Sequence, residues 1–112
     1  MDKTIDATGK KYGRLASEVA KILNGKTSVN YEFNRVPTQR VIVKNVDKIV
    51  ITEKKLSQKI YYHHTGYMGH MREKKFGEKM AASPAKSFRF TVEHMLPKNR
   101  SRKLKMRKLI IE

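Results

Sequence analysis

Apolar side chains recur along this chain with two different periods. Leu15, Val19, Ile22 and Leu23 fall at i, i+4, i+7 and i+8, with Ala16 and Ala20 on the same face and Arg14, Glu18 and Lys21 off it. That spacing predicts a helix over 14–24, stopped by Asn24-Gly25. Before it, Thr4-Ile5-Asp6-Ala7 predicts a short strand and Thr8 to Gly13 a turn. After it, Val41-Ile42-Val43 and Ile49-Val50-Ile51-Thr52 are β-branched runs split by Asn45 and Asp47, and both are expected as strands. Lys59-Ile60-Tyr61-Tyr62 predicts another strand, pairing with the preceding one across Glu53 to Gln58. Ser83-Pro84 has the chemistry of a helix N-cap and first helical residue, with Phe88, Val92, Met95 and Leu96 as the inward stripe and Pro97 as the stop. Leu109-Ile110-Ile111 predicts a closing strand. Strands and helices in this order favour an α/β fold with a mostly parallel sheet covered by helices on both faces.

Length narrows this to one domain over 1–112, since 112 residues suit one hydrophobic core. Leu, Ile, Val and Phe make up about 23% of the chain, so the core must be thin. Cysteine is absent, which excludes disulfides, thiolate zinc sites and cysteine nucleophiles. No apolar run exceeds three residues, so neither a membrane span nor the apolar stretch of a signal peptide is present, and a soluble, intracellular protein is expected. Met1-Asp2-Lys3 leads directly into the first strand, which speaks against an attached transit peptide.

Charge changes the picture most. Lys and Arg number 26 against 10 Asp and Glu, a net of +16, and a chain so basic calls for a polyanionic partner. Residues 54–112 carry most of the excess. Within them, 98–108 hold Lys98, Arg100, Arg102, Lys103, Lys105, Arg107 and Lys108 with no acid among them. Such a run repels itself, so it is expected to be poorly ordered alone and fixed against phosphates.

Catalytic signals are weak by comparison. Gly25-Lys26-Thr27-Ser28 imitates the end of a phosphate-binding loop, but Ala20 stands where that motif needs glycine and the order of strand, loop and helix is reversed. Gly9 and Gly13 lack dinucleotide spacing and suit a sharp turn. His63 and His64 are adjacent, so on a strand they point to opposite faces, and His70 and His94 have no helical ligand partner. No metal, cofactor, small-molecule substrate or enzymatic activity is predicted. Richer chemistry lies in Tyr61-Tyr62-His63-His64-Thr65-Gly66, between Lys59 and Arg72, where rings can stack and hydroxyls can meet phosphate or ribose. Alternation puts Tyr61 and His63 on one face and Tyr62 and His64 on the other, with either face open to the ligand.

Several blocks together resemble the bacterial-type large-subunit ribosomal protein L-thirteen family. They are Asp6-Ala7-Thr8-Gly9-Lys10, Gly13-Arg14-Leu15-Ala16 with Glu18 and Ala20, Gly25-Lys26, Asn45 with Asp47-Lys48, Lys59 through Gly66, and Met95-Leu96-Pro97-Lys98. They occur in the family's order and cover nearly the whole chain. The resemblance implies a three-layer α/β/α domain around a small, mostly parallel sheet. It also implies a non-enzymatic constituent of the large ribosomal subunit that binds large-subunit ribosomal RNA, supports early assembly and touches neighbouring large-subunit proteins, in the ribosome of the cytoplasm or of an organelle. The candidate RNA-binding residues are then Lys10, Arg14, Lys26, Lys59, Tyr62, His63, His64, Thr65 and Arg72, together with the seven cations of 98–108. The chain departs from the family pattern at Thr38-Gln39, at His70 and at Asn99 to Lys103, and it lacks the usual lead-in and tail, as a minimal version would. A basic architectural protein on duplex DNA is the alternative, although no long recognition helix, dimer-forming heptad or intercalating wedge is evident.

Overall fold

The structure is a computed structural model that describes residues 2–32, 35–64, 66–69 and 71–112. Strand β1 (Lys3–Asp6) leads through a turn at Gly9, where φ is +73°, into helix α1 (Tyr12–Asn24). Gly25 ends that helix in the left-handed conformation, at φ +83°, so the glycine that imitates a phosphate-binding loop is a helix stop. Strand β2 (Val41–Lys44) follows, then a short 3-10 turn at Val46–Lys48 and helix α2 (Glu53–Gln58). Strands β3 (Ile60–His64) and β4 (Met71–Lys75) form a hairpin, helices α3 (Phe76–Ala82), α4 (Pro84–Met95) and α5 (Ser101–Met106) come next, and strand β5 (Leu109–Ile111) closes the order.

The main sheet is parallel in the order β1-β2-β5, with Ile5 level with Val43 and Val43 level with Ile111. This is the α/β class and the parallel sheet that the order of elements predicts. Val41, Val43, Ile5 and Leu109 are buried with Leu15, Val19, Ile22 and Leu23 of α1, as the helical stripe requires. Phe88, Val92 and Leu96 of α4 and its C-cap complete that stripe, spaced by four. Met95, expected inside, is 43% exposed because it lies one step off the line of those three. Ser83 caps α4 as predicted, its hydroxyl accepting from the Lys86 amide at 3.4 Å.

Three expectations are corrected. Ile49–Thr52 is not a strand: Asn45 turns the chain at φ +58° into the 3-10 turn, and only an isolated bridge joins Val50 to Lys11. Ile49 and Ile51 still pack against the core from this irregular path. Glu53–Gln58 is a helix, because its Glu-Lys-Lys-Leu run favours helix and contains no β-branched residue, so β3 pairs instead with β4. The run 98–108 contains a helix docked on the body. Lys105 and Met106 are buried, and Arg89 of α4 donates from Nη2 to the Met106 carbonyl at 2.9 Å and from Nη1 to that of Leu109 at 3.3 Å. Ser101, Arg102, Lys105 and Met106 follow a helical spacing that the positive charges conceal from a hydrophobicity reading.

Candidate nucleic-acid interface

The predicted contact residues fall on three parts of the fold. Lys10, in the β1–α1 turn, lies 4.0 Å from Glu18, and Arg14 and Lys26 are exposed along and just beyond α1. Asp6 holds that turn closed: its carboxylate accepts from the Thr8 amide at 3.0 Å, the Thr8 hydroxyl at 2.8 Å and Asn45 Nδ2 at 3.2 Å. These donors favour the charged form and bring its pKa down to about 2. The acid in the turn therefore serves the turn.

The hairpin carries the second group. Its root is anchored by rings: Tyr12 meets Phe76 edge-on at 5.3 Å and Phe88 at 5.7 Å, and Tyr61 meets Phe90 edge-on at 5.8 Å. The Tyr12 hydroxyl donates to the Ser87 carbonyl at 2.9 Å and sits 2.6 Å from that of Thr91, and its burial pushes the phenol up to about 12. Beyond the root the ribbon is open. Tyr62, His63 and His64 are exposed, as is all of β4, including Arg72. The antiparallel register sets Tyr61 opposite Lys74 and His63 opposite Arg72 on one face, and Tyr62 opposite Glu73 and His64 opposite Met71 on the other. His64 Nδ1 accepts from the Gly66 amide at 3.0 Å, a contact that orients the ring. Thr65 lies outside the described residues, as does His70.

Rings also seat cations at this root. Lys59 Nζ lies 5.4 Å from the centroids of both Tyr61 and Phe76, and Lys79 Nζ lies 4.1 Å from Tyr61 and 4.6 Å from Phe90. The sequence reading missed Lys79. Its signal is its position three residues after Phe76, which on a helix puts a cation one turn beyond the buried ring.

The third group is the basic run. Lys98, Arg100, Lys103 and Arg107 are exposed and Lys108 is half-buried, while Arg102 lies 3.9 Å from Glu93. Lys105 has to be withdrawn from the contact set: it is 1% exposed, and its ammonium donates to Asn24 Oδ1 at 2.7 Å. Burial lowers its pKa. Among the described residues no cluster of three His, Asp or Glu side chains could hold a metal ion, and no helix is long and apolar enough to cross a membrane.

Comparison with known proteins shows what this arrangement belongs to. The profile of the family described as Ribosomal protein L13 matches residues 3–111. A large ribosomal subunit protein uL13 from Thioalkalivibrio sulfidiphilus is 44% identical over 95 residues, covering 85% of this chain and 67% of the relative. The uL13 of Agathobacter rectalis is 48% identical over 94 residues, 84% of this chain and 66% of its own length. That of Dichelobacter nodosus is 43% identical over 107 residues, 96% of this chain and 75% of the relative. The matches thus span about two thirds to three quarters of these relatives. With the match running from the first strand to the last, and with identity above 40% in each relative, the chain belongs to the ribosomal protein L13 family.

Proposed function

We propose that this chain is a structural, non-enzymatic constituent of the large ribosomal subunit, acting in the ribosome of the cytoplasm and binding large-subunit ribosomal RNA. In this reading it supports early assembly and lies beside other large-subunit proteins. The observation that carries it is family membership over residues 3–111, which gives no support to an architectural role on DNA. Charge supports it independently. The chain has 26 Lys and Arg, and ion pairs among the described residues engage only Lys10, Lys44 and Arg102. Lys105 is buried on Asn24 and Arg89 is spent on backbone carbonyls, but the exposed cations outside these ion pairs keep their charge for phosphate. The proposed contacts are one of the two exposed faces of the hairpin and the exposed members of 98–108, with Lys10, Arg14 and Lys26 on the α1 side.

Crosslinking the protein in cells and sequencing the attached RNA tests this directly. Large-subunit ribosomal RNA should dominate the reads, and random or DNA-derived attachment would refute it. In solution, neutralising about 8 phosphates should give a slope of log K against log salt of roughly −6 to −7. An affinity insensitive to salt would contradict binding through phosphates.

A further inference from the structure

Between α4 and the hairpin root lies a shallow groove of about 270 Å³, lined by Lys74, Lys79 and Lys86 with Ser83, Ser87 and Phe90, and no acidic residue lines it. None of its three lysines takes part in an ion pair among the described residues. What holds Lys79 in place is the pair of rings, Tyr61 and Phe90, beneath its ammonium. This distinction matters chemically. A carboxylate that positions a cation also neutralises it, whereas a ring quadrupole positions the cation and leaves its full charge for another anion. Phe90 is itself braced: the His94 ring lies 4.1 Å from it, and His94 Nδ1 is 2.9 Å from the Phe90 carbonyl. Lys86, Phe90 and His94, four residues apart, form one stripe along α4 beside the groove.

The strand register continues the positive charge outward. Lys74 shares a hairpin face with Tyr61, and Arg72 and His63 lie one pair farther along it, while the opposite face carries Glu73, Met71, Tyr62 and His64. We propose that this groove and the Tyr61/His63 face of the hairpin form a track for a sugar–phosphate backbone of RNA, with Lys79 as its preset phosphate contact. The proposal rests on the RNA-binding reading above and chooses between the two hairpin faces. Tyr62 and His64 then lie on the side away from the track.

The test uses the full chain and a transcript of large-subunit ribosomal RNA, titrated over a salt series. Lys74→Ala with Lys86→Ala removes two exposed cations and should flatten the salt slope by about 1.5 to 2, weakening binding at least about tenfold at low salt. Lys79→Met should weaken binding further, while Lys79→Arg, which keeps a cation able to stack on the rings, should restore it. Tyr62→Ala with His64→Ala should leave the slope unchanged. Melting curves confirm that each variant folds. If wild type binds but the lysine pair keeps the wild-type slope, or if the Tyr62/His64 variant loses more, the track is wrong while the RNA-binding reading stands. If wild type fails to bind the transcript, that reading falls and the track falls with it.

Discussion

Two groups of cations in this chain are held in opposite ways. At the hairpin root, Lys59 and Lys79 rest on aromatic rings and retain their charge for an outside partner. In and around α5, Arg102 faces Glu93, and Lys105 is enclosed with its ammonium on Asn24. The denser cluster is thus partly consumed by the fold, and the sparser one is poised on a platform. Charge density along a sequence measures attraction to a polyanion; the partner that holds each side chain decides how much of that charge is available.

The largest effect expected from breaking this contrast is on the platform itself. Phe76 is 1% exposed and supports both Tyr12 and Tyr61, so Phe76→Ala should cost about 3–5 kcal/mol in urea unfolding, whereas Leu104→Ala on the exposed side of α5 should stay within about 0.5 kcal/mol. Near-equal losses would mean that the hairpin root is not part of the core. Lys105→Ala comes next, at about 1–3 kcal/mol, because Asn24 Oδ1 loses its buried donor. Lys103→Ala, two residues earlier on the exposed side of α5, is the matched control.

Lys105 also makes a prediction in pH. Its folded pKa lies below the unfolded value of 10.5, so the unfolded chain binds the extra proton, and stability contributed by this site should rise as pH climbs from the lowered pKa to 10.5. Tyr12 acts in the opposite sense between pH 10 and about 12, where the folded state keeps the phenolic proton and stability falls. Subtracting the unfolding profile of Lys105→Met from that of wild type isolates the lysine, and a flat difference would show that its ammonium is solvated.

Smaller effects concern binding and the exposed pair. Replacing Arg100, Arg102 and Lys103 together by Ala should flatten the RNA salt slope by roughly two to three units with the fold intact. Because Arg102 is already half-engaged by Glu93, the measured change should sit nearer two, and a full three would show that the pair opens on RNA. Glu93→Gln should change stability by no more than about 0.5 kcal/mol while strengthening RNA binding slightly, as expected when a partly exposed carboxylate releases an arginine.

How legible this was depended on whether a residue's chemistry agreed with its position. The stripe of α1, the Ser83-Pro84 start of α4 and the apolar β5 were readable because burial and hydrophobicity coincide there. β4 was not, since Met71-Arg72-Glu73-Lys74-Lys75 is exposed on both faces and shows no alternation; only pairing with β3 makes it a strand. Lys105 misled in the opposite direction, as a charged residue at an inward helical position. For the site, sequence singled out Tyr61 to Gly66 but left the two faces of that strand equivalent and gave no sign of its partner β4. The cue that separates them, Lys74 across from Tyr61, exists only once the register is known.

The order β1-β2-β5 has a further consequence, in time. β1, α1 and β2 are contiguous and can assemble from local contacts, but the second edge of β2 waits for a strand from the far end of the described sequence. Until Leu109–Ile111 arrives, Val41 and Val43 present an unpaired, β-branched edge of the kind that recruits foreign strands. A nascent or destabilised copy is therefore most vulnerable to aggregation just before this final strand docks. Once docked, β5 is tied to the body at its start by Arg89 of α4, which donates to the carbonyls of Met106 and Leu109.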